Sequence, residues 1–366
     1  MKRIVISAVN FNEGGPLSVL KDCLKAFKNI NNQDLDITVF VHKTYLVQEY
    51  INDFKIVEYP LIKKSWFKRI YFEYYQCKKI SEEIAPDLWI ALHDMTPNVT
   101  CKQVVYCHNP SPFYKFKFNI LFTDPTFFLF CLFYNFLYRI NIQKNKYLIV
   151  QQQWLRKQFE HRYNVKTIVA YPDFLEHIQL QTIKKEIKSP KSKYIFFYPA
   201  FPRVAKNFET LLQAAKILAF KRHDFELLIT INGTENKYAQ KLFADYKDIE
   251  QVKFIGVKTR NEVFDIYNDA NCLIFPSKLE TWGLPISEFK LFNKPILVSD
   301  MNYAHETAGN YQLVKFFDPD DAQQLSNYME LIIDNKLSFD VNLQIVPDAP
   351  FFNNWDGLVK FLIKQT

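Results

Sequence analysis

Short apolar runs alternate along this chain with longer segments in which apolar residues recur at helical spacing. The first run, Arg3–Val9, is rich in β-branched residues and is ended by two glycines and a proline within 12–16. Leu17, Leu20 and Leu24 then recur every three to four residues, which is the period of one helix face. The N-terminus is therefore predicted to form a strand followed by a helix.

The same alternation continues through the first half of the chain. Four further strands and one long helix are predicted: strands at Ile37–Val41, Leu88–Leu92, Val104–Cys107 and Tyr147–Val150, and a helix at Trp66–Ile84. Strands that alternate with helices are typical of a parallel sheet covered by helices on both faces. The first half is therefore predicted to be an α/β domain.

A polar, charged stretch near 180–193, broken by Pro190, predicts a boundary. The alternation then restarts, with strands at Tyr194–Tyr198, Phe225–Ile231, Val252–Ile255, Cys272–Phe275 and Pro295–Val298 and a helix at Asn207–Phe220. Two successive α/β units of similar size indicate a doubled Rossmann-like architecture. We expect one domain over 1–185 and a second over 190–345.

Composition agrees with two folded domains. The chain has 366 residues, of which 48% are hydrophobic and 23% charged, and this excludes a disordered protein. Its 35 Phe and 21 Tyr against 7 Gly are a surplus that fits either genome bias or a surface that meets lipid.

Positive charge is concentrated in the first half. Residues 1–190 contain 26 Lys/Arg and 17 Asp/Glu, a net +9, and the remainder contains 20 and 22, a net −2. A basic half is suited to nucleic acid, anionic lipid or a phosphorylated acceptor, and an ordinary solvated surface is the alternative. Because no basic helix or stacking motif of a nucleic-acid module is present, we expect no nucleic-acid partner.

The six cysteines form no CxxC pair, and the first residues resemble a strand more than a signal peptide. Both features favour a cytoplasmic protein with reduced thiols. The segment Phe127–Tyr138 is apolar at about a dozen positions, whereas a membrane span needs about 20. It is either a buried helix or an interfacial helix in peripheral contact with the anionic inner face of a membrane.

The stretch with most chemical information runs from Phe275 to Glu288. A predicted strand ends in a Pro-Ser turn, Glu280 follows, and Gly283, Leu284 and Pro285 lead into a helix. Ligands of open α/β sheets bind beyond the carboxyl ends of the strands, and a helix start favours phosphate. Two carboxylates at this place are suited to accept hydrogen bonds from sugar hydroxyls.

This stretch resembles the Glu-x7-Glu motif of the retaining glycosyltransferase family 4, of the bacterial surface-polysaccharide type. The resemblance implies a GT-B fold, in which two Rossmann-like domains face each other across a cleft and a C-terminal helix, about 350–366, returns to the first domain. By this resemblance Glu280 lies beside the transferred sugar and Glu288 holds the nucleotide ribose, while Gly283, Leu284 and Pro285 contact the donor. Thr281-Trp282 replaces the commoner Gly-Phe of the family, which leaves the sugar undefined.

Arg203 and Lys206 lie between the first strand of the second domain and its helix. The family usually has an Arg and a Lys here that clamp the donor diphosphate, so both are expected to be catalytic. Negative charge builds up as a nucleoside diphosphate leaves, and fixed cations stabilise it.

In the first domain, candidate residues follow predicted strands. Gly14 and Gly15 allow close approach of backbone amides to a phosphate, and they resemble the family's glycine loop, which faces donor and acceptor. His108 resembles a family histidine near the transferred sugar and is expected to be catalytic. His93 and Asp94 end another strand and are candidates for contact with the acceptor.

No His/Cys cluster and no DxD at a strand end occurs in the sequence, and Asp320-Asp321 predicts a helix cap. We therefore expect no metal and no other cofactor. The expected reaction moves a sugar from a nucleoside diphosphate sugar to a glycan or lipid-linked acceptor with retention of configuration. The alternatives are a sugar-nucleotide epimerase on the same scaffold and a catalytically silent binding subunit.

Overall fold

The computed structural model describes residues 1–30, 34–114, 120–173 and 193–366, and the chain divides into two compact units. The first unit consists of Met1–Phe113, Leu132–Asp173 and Pro347–Thr366, and the second of Tyr114–Cys131 and Phe174–Val346.

The expected first domain, 1–185 with 350–366, differs from this division at Tyr114–Cys131, which belongs to the second unit. Within that unit, Phe127 and Cys131 form an apolar cluster with Ala205. This packing, which periodicity along the chain does not reveal, explains the difference. The predicted boundary near 180–193 lies outside the described residues except for position 193.

The helices and strands of the first half follow in chain order: β1 Lys2–Ala8, α1 Gly14–Ile30, β2 Leu35–Val41, β3 Lys55–Glu58, α2 Trp66–Tyr71, α3 Cys77–Ile84, β4 Leu88–Ala91, β5 Lys102–Tyr106, α4 Ile120–Thr123, α5 Pro125–Leu137, β6 Tyr147–Val150, α6 Gln153–Tyr163 and β7 Thr167–Ala170.

Those of the second half are β8 Tyr194–Tyr198, α7 Phe208–Ala219, β9 Phe225–Ile229, α8 Lys237–Tyr246, β10 Val252–Phe254, α9 Arg260–Asp269, β11 Cys272–Phe275, α10 Leu284–Lys290, β12 Ile296–Ser299, α11 Asn302–Ala308, β13 Val314–Phe317, α12 Ala322–Ile333, β14 Phe351–Phe352 and α13 Trp355–Ile363.

Each unit is built on one parallel sheet. In the first unit the strand order is β14-β7-β6-β5-β4-β1-β2-β3, and in the second it is β10-β9-β8-β11-β12-β13. The central strands are buried along their length, as expected when helices cover both faces of a parallel sheet. The predicted α/β architecture is confirmed in both units.

The predicted helix Trp66–Ile84 is not continuous. A π-helical turn, Phe72–Gln76, separates α2 from α3. A π turn widens the helix by one residue without breaking its path, so the apolar spacing does not reveal it. Phe72 and Glu73 of this turn are both buried in the first unit.

The apolar segment predicted over 127–138 corresponds to α5, which is buried on one side and exposed on the other; contact with a membrane stays a prediction. Its side chains divide into a buried set (Phe127, Cys131, Tyr134, Leu137) and an exposed set (Leu129, Leu132, Phe133, Phe136). Among the described residues, no helix has both the length and the apolar character needed to cross a membrane.

The C-terminal helix α13 packs against α1 in the first unit. Trp355, Leu358 and Leu362 are buried there, and the Trp355 ring stacks on Tyr106 with centroids 5.5 Å apart. Asn354 caps the helix by accepting a 2.9 Å hydrogen bond from the amide of Gly357. The expected return of the C-terminus to the first domain is confirmed.

Because Leu358 is fully buried in this core, Leu358→Ala is expected to lower the free energy of unfolding by about 2–5 kcal/mol, through lost apolar contacts and the cavity left behind. Urea unfolding monitored by circular dichroism measures the change. Lys360→Ala on the exposed face of the same helix is the matched control. Equal stability of the two variants would contradict the packing described.

Candidate functional site

The strand order of the second sheet brings two loops together. β8 lies between β9 and β11, so the chain leaves β8 in one direction and later returns on its other side. The crevice at such a reversal, beyond the carboxyl ends of the strands, is where open α/β sheets bind ligands. Lys206 follows β8 and Glu280 follows β11, and the ammonium of Lys206 donates to Oε1 of Glu280.

The loop that carries Lys206 is held to the loop after β11 by hydrogen bonds to its backbone carbonyl at Ala205. The carbonyl of Ala205 accepts from the amide of Lys278 at 2.8 Å and from the hydroxyl of Ser277 at 3.2 Å. The hydroxyl of Tyr198, at the end of β8, donates to the carbonyl of Lys206 at 2.8 Å. Lys206 is therefore positioned by the sheet itself and not by its own side-chain pairing alone.

Asn207 adds a second fixed point. Its backbone is left-handed, with φ of +57°, a conformation that asparagine tolerates better than most residues. Its side-chain amide donates to the carbonyls of Pro276, at 3.0 Å, and Pro319, at 2.7 Å. This residue links three strand-end loops, and sequence reasoning identified it only as the start of a helix.

The turn into α10 requires glycine at 283. Its φ is +88°, and a Cβ there would lie 3.2 Å from the Ile286 side chain and 3.4 Å from the ring of Tyr303. Leu284 and Pro285 then begin the helix. Trp282 is buried, and its indole donates to the Ser287 hydroxyl at 2.9 Å. Trp282 therefore fixes the loop between β11 and α10 to the first turns of α10.

Glu288 lies one turn into α10 and is buried. Arg260 donates to one of its carboxylate oxygens at 3.0 Å, and the hydroxyl of Tyr267 donates to the other at 3.1 Å. Burial raises the pKa of Glu288, and the Arg260 guanidinium and the Tyr267 hydroxyl oppose this rise. Both partners come from α9, and the sequence pattern did not identify either one.

Arg203 is paired with a residue that the sequence did not single out. Its guanidinium lies 3.1 Å from Oδ1 of Asp124, which is buried and belongs to the same unit. The same oxygen accepts from the amide of Phe127 at 3.1 Å at the start of α5. Arg203 is therefore oriented by α5, whereas Lys206 is oriented by Glu280.

The first sheet has its own reversal at β1, which lies between β4 and β2. Gly14 and Gly15 open α1 just after β1, and a Cβ added to either would meet no atom within 4 Å. Gly14 has a φ of +65°, which favours glycine. His93 and Asp94 follow β4, and His108 follows the neighbouring strand β5.

Asp94 organises the loop that carries His108. Its Oδ1 accepts from the amides of His108 and Asn109, at 2.8 and 3.0 Å, and from the Tyr138 hydroxyl at 2.8 Å. Its Oδ2 lies 3.3 Å from Nε2 of His108, whose side chain is 21% exposed. Asp94 is buried, so it positions His108 and does not itself face solvent.

His93 is fully buried. Its Nε2 lies 3.1 Å from the Ser7 hydroxyl and 3.4 Å from Oε1 of Glu73, and burial lowers its pKa well below the usual range. Arg69, also buried, donates to the His93 carbonyl at 2.7 Å. His93 is therefore a buried residue that packs beneath the end of β4 and does not face solvent. Arg69 and Glu73 complete the network, and their helical spacing alone gave no functional signal.

Residues 179–344 match the family described as "Glycosyl transferases group 1". Over 258 residues the chain is 23% identical to the O-antigen chain mannosyltransferase RfbU of Salmonella typhimurium strain LT2. That match covers 69% of this chain and 64% of the relative, so it spans less than two thirds of the relative's length.

Two solved structures are similar over most of the chain. A glycosyltransferase from Rickettsia africae ESF-5 aligns over 92% of this chain and 89% of its own, with a TM-score of 0.64 and 14% identity. HepE of Anabaena, in complex with UDP and glucose, aligns over 92% and 91%, with a TM-score of 0.61 and 14% identity. The chain has the GT-B fold. Its second unit contains the residues that match the glycosyltransferase family, and these include Lys206, Glu280 and Glu288.

The Glu73 carboxyl gives the network a measurable pH dependence. Burial raises its pKa to about 8, and Arg69 opposes the rise, whereas the unfolded chain releases this proton near 4.5. Between these values the folded state holds more protons, so the free energy of unfolding falls as pH rises and levels off above about 8. Near pH 6.5 the unfolded chain still protonates His93, whereas burial keeps the folded His93 neutral, but this contribution is present in both the wild type and a Glu73 variant and cancels in their difference.

We therefore expect Glu73→Gln, which keeps the shape and removes the titration, to gain stability relative to the wild type between pH 6.5 and 8. Urea unfolding at several pH values measures this difference. The exposed Glu82→Gln on the following helix is the control. A stability difference that does not change with pH would contradict the protonated state of Glu73.

Proposed function

We propose that this protein is a retaining, metal-independent glycosyltransferase of family 4 that uses a nucleoside diphosphate sugar. The acceptor is a glycan or lipid-linked glycan in surface polysaccharide synthesis, used at the cytoplasmic face of a membrane. One observation carries the proposal: Lys206 and Glu280 meet at the reversal of the second sheet, on loops locked together by Ala205 and Asn207. The match to the glycosyltransferase family over 179–344 supports it.

In this proposal the second unit binds the donor. Glu280 accepts hydrogen bonds from hydroxyls of the transferred sugar, and Glu288 accepts from the ribose. The carboxylate of Glu288 is already held by Arg260 and Tyr267, but each carboxylate oxygen has a further lone pair for a ligand hydroxyl. The backbone of Gly283, Leu284 and Pro285 lies at the turn between these two acids.

The proposed reaction has one leaving group and one nucleophile. The bond from the anomeric carbon to the diphosphate oxygen breaks, and the acceptor oxygen bonds to the same face of that carbon. The acceptor proton passes to the departing diphosphate oxygen. Lys206 and Arg203 stabilise the negative charge that develops there, the electrostatic role that is often the largest catalytic contribution.

The carboxylate partners of these two cations suit this role. Lys206 is paired with Glu280 and Arg203 with buried Asp124, so both cations are held in place before a ligand arrives. A diphosphate carries more charge than one carboxylate and can engage these cations in addition to their protein partners. Fixed cations stabilise a leaving group without the cost of reorganising at the moment of reaction.

The first unit is proposed to supply the remaining contacts. His108 is partly exposed at a strand end and is positioned by Asp94, so its ring is available to the transferred sugar. The open space above Gly14 and Gly15 allows backbone amides to approach a phosphate. His93 is buried in this structure, and we assign it a positioning role in place of direct contact with the acceptor.

The epimerase alternative needs an acid and a base in the first unit. Both carboxylates described beside its strand reversal, Glu73 and Asp94, are buried; Asp94 is held by the loop of His108, and neither oxygen of Glu73 has a hydrogen-bond partner among the described residues. The family match over 179–344 and the meeting of Lys206 with Glu280 favour transfer. An assay without acceptor separates the two, because an epimerase converts the nucleotide sugar without releasing nucleoside diphosphate.

Binding of the donor nucleotide is the first expected outcome. One member of a panel of GDP, UDP, ADP and dTDP should raise the melting temperature, because a ligand at about 100 times its Kd stabilises the folded state by about 2.7 kcal/mol. The shift should be reduced in Lys206→Ala and retained in Lys216→Ala, an exposed lysine on α7. The absence of a shift with every nucleotide would contradict a donor site.

Catalysis is tested with the donor that the panel selects. Lys206→Ala is expected to lower kcat about 10²–10³-fold, the effect typical of removing one electrostatic contact to the leaving group. Glu280→Gln should be similarly impaired, and Glu250→Gln, an exposed acid, should not. Release of nucleoside diphosphate with acceptor measures the rate. Wild-type rates in both site variants would exclude this mechanism, and donor binding without turnover in the wild type would favour the silent-subunit alternative.

A further inference from the structure

The outer face of α2 and of the π-helical turn that follows exposes large aromatic side chains in the first unit. Phe67 is 85% exposed, Tyr75 66% and Tyr71 54%. The rings of Tyr71 and Tyr75 stack on each other with centroids 5.7 Å apart. Isolated apolar residues on a surface are ordinary, but a contiguous aromatic face indicates an interaction site.

Lysines are interleaved with these rings. Lys63, Lys64 and Lys68 are exposed on the same short segment. Between residues 61 and 81, all of which the structure describes, the sole acidic residue is Glu73, and its carboxylate is buried. The exposed side of this segment is therefore uniformly positive. We refer to Phe67, Tyr71, Tyr75 and these three lysines as the aromatic–lysine surface.

A cavity of about 300 Å³ opens at the edge of this surface. It is lined by residues that follow β3 and by residues of α2 and the π turn, among them Tyr59, Ile62, Lys68 and Tyr71. The acidic residue at its rim, Glu58, is 3.1 Å from Lys43 and accepts from the Thr44 amide at 2.8 Å. The rim therefore presents Lys68 to an anionic ligand without competition from a free carboxylate.

The exposed face of α5 continues the apolar area. The ring of Trp66 in α2 contacts that of Tyr134 in α5 edge-on, with centroids 6.2 Å apart, and both residues belong to the first unit. Beside this contact Phe133 and Phe136 are 53% and 64% exposed. Two neighbouring helices thus direct aromatic side chains to solvent.

We propose that the aromatic–lysine surface docks on a membrane that contains anionic phospholipid. The three lysines contact the phosphate headgroups, the aromatic rings enter the interfacial layer, and the cavity takes the first part of an acyl chain. Amphipathic rings beside lysines are the combination that favours the membrane–water interface. Charge complementarity selects anionic over zwitterionic lipid.

Single-stranded nucleic acid is the main competing occupant, because aromatic rings and lysines also bind it. Two features favour lipid. The exposed apolar set on this segment includes Leu61 and Ile70, whose aliphatic side chains offer no ring for base stacking. The cavity beside Lys68 is suited to an alkyl chain and is lined partly by Ile62.

Co-sedimentation with vesicles tests the proposal, using the full chain without nucleotide or acceptor. Binding is expected to vesicles of phosphatidylglycerol and phosphatidylcholine mixed, and to be much weaker with phosphatidylcholine alone. At about 1 kcal/mol per lysine near an anionic surface, the double variant K63Q/K64Q should lower the partition coefficient about 30-fold. The double variant K237Q/K241Q, which neutralises two exposed lysines of α8, should bind as the wild type does.

A second pair of variants tests the aromatic part. Phe67→Ser should lower vesicle binding at least several-fold, whereas Phe220→Ser should not, although Phe220 is 83% exposed and so matches Phe67. Equal effects of the two Phe variants, or equal effects of the two lysine pairs, would overturn the proposal. So would binding to a labelled oligonucleotide that is as tight as vesicle binding and depends on the same residues.

The outcome is separable from the proposed glycosyltransferase activity. Vesicle binding is measured without donor, and the variants lie outside the residues assigned to donor and acceptor. If the protein binds vesicles but no nucleotide raises its melting temperature, the docking proposal stands and the proposed function fails. If a nucleotide raises the melting temperature but no vesicle binds, the proposed function stands and the docking proposal fails.

Discussion

The parallel pairing of β8 with β11 is the constraint on which the candidate site depends. These two strands are not consecutive in the chain, yet the sheet places Phe196 beside Cys272 and Phe197 beside Leu273. Their carboxyl ends therefore meet, and the loops that follow are locked by the hydrogen bonds of Ala205 and Asn207. Because Lys206 and Glu280 are each positioned by a different strand of one sheet, they are already paired in the structure.

Part of this arrangement was predictable because several candidate site residues follow a strand in the sequence. Apolar runs indicate where strands end, and side chains at such ends share one edge of a parallel sheet. Glu280 and His108 were predicted in this way and follow β11 and β5 in the structure, whereas Lys206 was assigned from the family resemblance and lies between β8 and α7. Residues that act from within helices were missed. Arg260 looks in the sequence like any arginine on the exposed face of a helix. Its contact with Glu288 arises only because the fold packs α9 beside α10.

Other differences also have a physical origin. The residues of the π turn follow the same apolar spacing as an ordinary helix, so a single helix over Trp66–Ile84 was the natural prediction. The burial of His93 could not be anticipated, because a polar residue after a strand normally faces solvent or a ligand. The Ser7 hydroxyl lies 3.1 Å from Nε2 of His93 and Arg69 donates to its carbonyl, whereas its Nδ1 and both carboxylate oxygens of Glu73 have no hydrogen-bond partner among the described residues.

The short helix α2 has one face exposed to solvent and one face buried in the first unit. Phe67 and Lys68 point to solvent, while the next residue, Arg69, is buried and holds the carbonyl of His93. A ligand on the outer face that orders this helix would also order the strand end behind it, and the effect must operate in both directions. If occupancy of the outer surface orders α2, that occupancy and the rigidity of the loop after β4 are thermodynamically linked through Arg69.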